Sequence, residues 1–302
     1  MKVFTAYKIT PEHESLTVES YLKQVLLLSG RQLQKLTRQN GIRLNGKRVF
    51  LQKKLESNDR LQVMTLADSG YGVQPEPGPV EILYEDDFLL VLNKPPKQLV
   101  HPAGRTTGGT LANFLAYHLQ QRGLITTVRA VHRLDRDTSG CVIFAKDARS
   151  QSLLEQQLKS RSLKRAYWAL VQEPPNPPAG VIDAPIGRHP VLPNRRVVTP
   201  DGAPAVTHYR TRGTSAGGIA LLELTLDTGR THQIRVHLAH AGCRLLGDGM
   251  YGQRTPLIPR QALHAATVSF RHLAANHTVT VTAPLPCDLT KAMNTALVEL
   301  QT

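Results

Sequence analysis

From residue 80 onward the chain is dominated by short apolar runs of strand length. VEILY and FLLVLN flank an EDD turn and predict a hairpin, and CVIFA, AYWALV, IALLELTL and HTVTVTA predict further strands. Gly- and Pro-rich breaks such as EPPNPPAG separate them. Helical stretches are few. Asp147 is placed to cap one that runs to about Lys159, with Leu153, Leu154 and Leu158 on one face. Strands without a regular strand–helix alternation argue against a doubly wound parallel sheet and predict an α+β fold.

The first 66 residues have a different character. Apolar residues at 18, 21, 22, 25 and 26 follow the helical period. Ser29 and Gln32 form a capping-box pattern that predicts a second helix. On it Arg31, Lys35 and Arg38 share one face, with Leu33 and Leu36 opposite. GIRLNGKRVF follows, and its Asn45-Gly46 pair predicts a tight hairpin, because both positions tolerate positive φ. Residues 67–79, ADSGYGVQPEPGP, read as a linker. The expected organisation is therefore a small unit over 1–66, a linker over 67–79 and a larger domain over 80–302.

Charge narrows the partners. The chain carries +14, and residues 1–66 contribute half of it, with 12 basic against 5 acidic residues. Such an excess favours a polyanion, above all RNA or DNA, and a basic helical stripe is the footprint that phosphates attract. The three cysteines, Cys141, Cys243 and Cys287, are far apart and form no CxxC, so neither a disulfide framework nor a cysteine zinc site is expected. MKVFTAYKIT lacks the apolar core of a signal peptide, and no apolar run reaches the roughly 18–20 residues that span a bilayer. A cytoplasmic protein without membrane contact is expected.

Several motifs lead nowhere. LGDGMYG is formally G-x-G-x-x-G, but QRTPLIPR follows it, and a dinucleotide site requires a helix there. No GxxxxGK[ST] loop exists. His232, His237 and His240 cluster in HQIRVHLAH without an HExxH pattern, so no metal is expected. Asp135 and Asp137 sit two apart in HRLDRDTSG, yet the TSG bend and the shared segment argue against a paired-carboxylate hydrolase.

Three segments carry the chemistry instead. HRLDRDTSG sets Asp135 between Arg133 and Arg136 at the mouth of a strand. SLKRAYWALV puts Tyr167 on a strand, and LDTGRTHQIRVHLAHAG puts Arg235 on a helix entered by a Gly-Arg-Thr turn. Together these stretches resemble the RluA-type pseudouridine synthases. LNKPPKQLVHPAG, GTLANFL, AVTHYR, LLGDGMYG and LHAATVSF extend the likeness collinearly over about residues 80–285. Residues 14–66, with NGKRV and SNDRLQV, resemble an S4 RNA-binding domain, although Asn58 stands where that family often has glycine.

The resemblance implies a mixed or antiparallel sheet behind a small S4-like helix-helix-hairpin unit. It implies Asp135 as nucleophile or base toward a target uridine, Tyr167 stacking on the uracil and facing C5, and Arg235 as partner of Asp135. It further implies Arg133 in the gap left by the flipped uridine, Leu263 against the base, and Arg31, Lys35 and Arg38 on RNA. The expected substrate is ribosomal RNA, most commonly of the large subunit, with transfer RNA as the other candidate, and the expected protein is a monomer. A non-catalytic RNA-binding or ribosome-assembly factor on the same fold is the alternative.

The residue types suit the reaction. Uridine loses its N1–C1′ bond, turns and rejoins through C5, so no atoms are gained or lost and no cofactor or metal is required. A carboxylate can add to C1′ or C6, or remove the 2′ proton. A neighbouring guanidinium favours the ionised carboxylate against desolvation. A phenol offers a stacking face with a polar tip. Reaching the glycosidic bond requires base flipping, and unpaired uridines are the cheapest to extrude.

Overall fold

The computed structural model describes residues 2–66 and 68–296 and the backbone of 299–300. Ala67, at the start of the expected linker, and the last residues of the expected large domain, 297–298 and 301–302, lie outside the described residues, as does Met1.

Local chemistry forms the first unit largely as its sequence dictates. Thr17 caps the helix Val18–Gln24, its hydroxyl accepting from the backbone of Ser20. The helix Gly30–Arg38 begins at a full capping box, in which Ser29 N donates to Gln32 Oε1 at 2.8 Å and Gln32 N to Ser29 Oγ at 3.3 Å. Leu33 and Leu36 are buried, while Arg31, Lys35 and Arg38 are exposed. Asn45 and Gly46 both take positive φ between the strands Ile42–Leu44 and Lys47–Arg48. Asn58 also adopts φ 69°, a left-handed conformation that Asn tolerates better than most residues. A strand without an alternating signature, Phe4–Lys8, pairs with Arg60–Met64 and completes a four-stranded sheet. Val18, Leu22, Leu36, Leu55 and Leu61 fill a core between this sheet and the two helices.

Among the described residues, the strands Ile186–Arg188 and Arg196–Val198 pair with each other, and the twelve other remaining strands build one sheet. Its centre is the strand Lys164–Gln172, flanked by Ile219–Leu226 on one side and Leu263–Arg271 on the other, both antiparallel to it. Leu263–Arg271 then runs parallel to Ser139–Ala145, which pairs antiparallel with Leu89–Lys94. That single parallel contact makes the sheet mixed and the class α+β. It also needs Gly140. At φ +109° its Cα lies so close to Ala265 that a Cβ would collide with the Ala265 carbonyl. The helix Leu111–Gln121 packs its Leu111, Leu115 and Leu119 on one face of the sheet. The helix Ala148–Lys159, capped by Asp147 as expected, sets Leu154 among the apolar residues of the other.

Of the segment read as a linker, residues 68–79 form neither strand nor helix, but they are pinned to the larger domain. Asp68 accepts from Arg129 at 2.5 Å and from Thr127 N at 3.1 Å. Val128 N donates to Tyr71 O, and Asn113 Nδ2 to Gln74 O. Among the described residues no helix is long and apolar enough to cross a membrane.

Candidate active site

The loop that ends in Ser139–Ala145 presents Asp135, and an unusual amount of polar bonding fixes it. Thr138 N donates to Asp135 O at 3.1 Å and closes the expected bend. Lys94, fully buried, donates from Nζ to Pro95 O, Gln98 O and Arg136 O at 2.7, 2.8 and 2.9 Å. Burial pushes its ammonium down to about 7, opposed by the charges of Asp137 and Asp135. Arg260 Nη1 donates to Asp137 O at 3.0 Å and Leu263 O at 3.2 Å, while its Nε and Nη2 fork onto Asp288 at 2.6 and 2.8 Å. One buried guanidinium thus ties the Asp135 loop, the strand of Leu263 and the C-terminal helix Cys287–Thr295 together.

Arg235 comes from the opposite side, in the first turn of the helix Gln233–His240. His232 before it takes φ 59°, and Gln233 Oε1 accepts from Thr228 Oγ1 and Arg230 N, so the helix start is held in one orientation. Arg235 Nη1 donates to Asp135 Oδ2 at 3.0 Å. Its Nε and Nη2 fork onto Asp248 Oδ2 and Oδ1 at 2.7 and 2.9 Å. Burial disfavours the Arg235 charge, yet Asp248 and Asp135 outweigh burial and push its pKa above the ordinary arginine value. Asp248 is 1% exposed; burial raises its pKa, but the Arg235 bond and charge, with the backbone N–H groups of Met250 and Tyr251, bring it below the ordinary value. Gly247 precedes it at φ +71°, where a Cβ would strike the Arg260 carbonyl, so the LGDGMYG glycine serves a close backbone approach.

Asp135, Arg133, Tyr167, Arg235 and Leu263 line one cleft of about 500 Å³. The expected five therefore converge, although Asp135 and Arg235 are 100 positions apart. Arg133 is exposed at the cleft, while Tyr167 and Leu263 are buried in its wall. Burial, with the Asp135 charge, pushes the Tyr167 phenol above its ordinary value against the pull of Arg165, so the ring is neutral at neutral pH. Arg31, Lys35 and Arg38 are not part of this cleft; they sit on the first unit's helix.

Sequence reasoning missed Asp248, Lys94, Arg260 and the position of His232. His232 Nε2 lies 4.0 Å from Asp135 Oδ2, and its Nδ1 lies 3.0 Å from the Tyr251 hydroxyl. Burial lowers its pKa against the Asp135 charge, so it is a neutral neighbour. His237 is a satisfied core residue, with Thr207 Oγ1 and Ala184 O each 2.9 Å from its two ring nitrogens. Among the described residues no group of three or more His, Cys, Asp or Glu gathers in a metal-binding arrangement.

The sequence model of the RNA pseudouridylate synthase family matches residues 88–240, which carry Asp135, Tyr167 and Arg235. The chain belongs to this family. An RNA pseudouridine synthase of Bacillus subtilis, YhcT, is 41% identical over 89% of this chain and 90% of its own. The ribosomal large subunit pseudouridine synthase D of Xanthomonas campestris is 37% identical over 83% of this chain and 80% of its own. Among solved structures, human RNA pseudouridylate synthase domain containing 4 superposes with a TM-score of 0.61 at 24% identity, covering 74% of this chain and 95% of that one, a likeness of fold. The chain is thus an RNA pseudouridine synthase, and its substrate is RNA. The synthase's own side chains hold Asp135 bonded to Arg235, and Arg235 bonded to Asp248, the kind of fixed arrangement that electrostatic preorganisation requires.

Proposed function

We propose that the synthase isomerises uridine in large-subunit ribosomal RNA, with Asp135 as the attacking carboxylate. The observation that carries this reading is the Asp135–Arg235 pair at 3.0 Å, facing a cleft shared with Tyr167 and Leu263. In this reading Arg235 orients the Asp135 carboxylate, and a flipped uracil lies between the Tyr167 ring and Leu263. Tyr167, a neutral phenol, contributes stacking and a polar tip toward C5. Arg133, exposed at the cleft, fills the vacancy in the RNA. The choice of large-subunit RNA rests on relatives named for that substrate, at 36–42% identity. Residues 1–66 act as an S4-like RNA-binding unit through Arg31, Lys35 and Arg38, joined by 67–79 to the catalytic domain. The reading includes a cytoplasmic monomer.

The test is to incubate the protein with large-subunit, small-subunit and transfer RNA and map pseudouridine chemically. Product is expected in large-subunit RNA, none with Asp135→Asn, and no change with a chelator. Wild-type yield from the variant overturns the role of Asp135. Product confined to another RNA overturns the substrate assignment.

A further inference from the structure

Phe50 is 88% exposed, and it is the only exposed Phe, Tyr or Trp among the described residues. A solitary exposed apolar side chain is ordinary on a protein surface. Two features set this one apart. The first is its backbone. Val49 and Leu51 on either side pack into the core of the first unit, which turns Phe50 outward. The carbonyls of Leu51 and Lys53 accept from the first free N–H groups of the helix Val18–Gln24, Glu19 N and Val18 N, both at 2.9 Å. Lys53 N donates to Phe50 O at 3.1 Å and closes the turn. The ring is thus displayed from a fixed backbone, so that seating a ligand on it costs little further ordering.

The second feature is charge. Lys47 and Arg48 precede Phe50 and Lys53 and Lys54 follow it, and all four are exposed. An aromatic face among cations does not suit an apolar protein partner, which would have to desolvate four charges to cover one ring. It suits a polyanion whose bases carry π-faces, the combination by which proteins hold single-stranded nucleic acid.

We propose that Phe50 is a stacking platform for an unpaired base of the RNA substrate, with Lys47, Arg48, Lys53 and Lys54 taking the flanking phosphates. This rests on the reading of residues 1–66 as an RNA-binding unit. It adds that this unit reads single-stranded character, because a paired base has no free face to offer.

The test uses the full chain and a stem–loop RNA with 2-aminopurine in its loop, beside a duplex of the same length. The variants are Phe50→Ala, Phe50→Trp, and Arg31, Lys35 and Arg38 together changed to Ala. Phe50→Ala is expected to weaken stem–loop binding about tenfold, abolish most of the 2-aminopurine quenching and leave duplex binding and the salt slope unchanged. Phe50→Trp is expected to keep wild-type affinity. Circular dichroism and melting stay as in the wild type, since the ring is outside the core. If Phe50→Ala binds as tightly as wild type while the triple variant is weakened, the platform is overturned and the RNA-binding reading stands. If neither alters binding, the RNA-binding reading falls and the platform with it. Loss of self-association in Phe50→Ala with RNA binding intact also overturns it.

Discussion

Arg235 gives Asp248 two of its guanidinium hydrogen bonds and Asp135 only one. The fork on Asp248 anchors the guanidinium, and a single bond extends from it to Asp135. Asp248 is itself held by Met250 N and Tyr251 N at 2.9 and 3.1 Å, so the anchor does not depend on RNA. Asp248→Asn keeps the shape but removes the charge that fixes the guanidinium plane. Single-turnover rate at saturating RNA is expected to fall about a hundredfold, with RNA affinity within about twofold of wild type, since misplacement on the order of 1 Å carries that cost. Asp248→Ala leaves Arg235 partly unpaired and is expected to lose about 3–5 kcal/mol of stability as well. A rate for Asp248→Asn equal to wild type would show that Asp135 alone orients Arg235.

Arg235→Lys separates charge from geometry. A lysine is a compact point charge and cannot span Asp135 and Asp248 with a planar fork. The rate is expected to drop at least about a hundredfold although the positive charge is kept, because the fork and not the charge sets the orientation. Rapid-quench measurement checks this, and near-wild-type turnover would show that a point charge suffices.

How much of this arrangement the chain reveals depends on the range of the interaction. The Ser29 capping box, the Asp147 cap and the Asn45-Gly46 turn are closed by residues within three positions, so a local pattern encodes them. Asp135 and Arg235, 100 positions apart, meet only through folding of the chain between them, and the family resemblance pairs them where spacing does not. Asp248 lies in a loop without period, and its glycine neighbours match a nucleotide motif only formally. Lys94 ends the apolar run FLLVLNK and Arg260 follows a proline; neither context signals that a charged group will be buried against carbonyls. The parallel contact of Leu263–Arg271 with Ser139–Ala145 is a tertiary choice that strand patterns do not carry.

Lys94 gives a stability test distinct from chemistry. Lys94→Met keeps an unbranched side chain of similar volume but takes the donor from three carbonyls, including that of Arg136 beside Asp135. A loss of about 3 kcal/mol is expected, seen as a lower denaturant midpoint with an unchanged slope. The rate should also fall, since the Asp135 loop loses an anchor. An unchanged midpoint would mean that water replaces the ammonium at no cost.

Asp68 makes the clamp on the connecting segment sensitive to acid. Burial alone would raise its pKa, but the bond from Arg129, with those from Thr127 and the Arg129 charge, takes it from 3.8 down to about 2. A carboxylate with a depressed folded pKa binds fewer protons than the unfolded chain between these values, so stability rises with pH there and is lost on acidification. Its contribution is complete above about 4 and is lost as pH drops through about 2. Protection factors of the amides of residues 68–79, referred to the intrinsic exchange rate at each pH, should therefore be high at pH 5 and fall between about 4 and 2. In Asp68→Asn the same segment should be less protected at pH 5 and show little further change on acidification. Identical acid profiles for the two proteins would place the clamp in the apolar contacts of Tyr71 and Val73 instead.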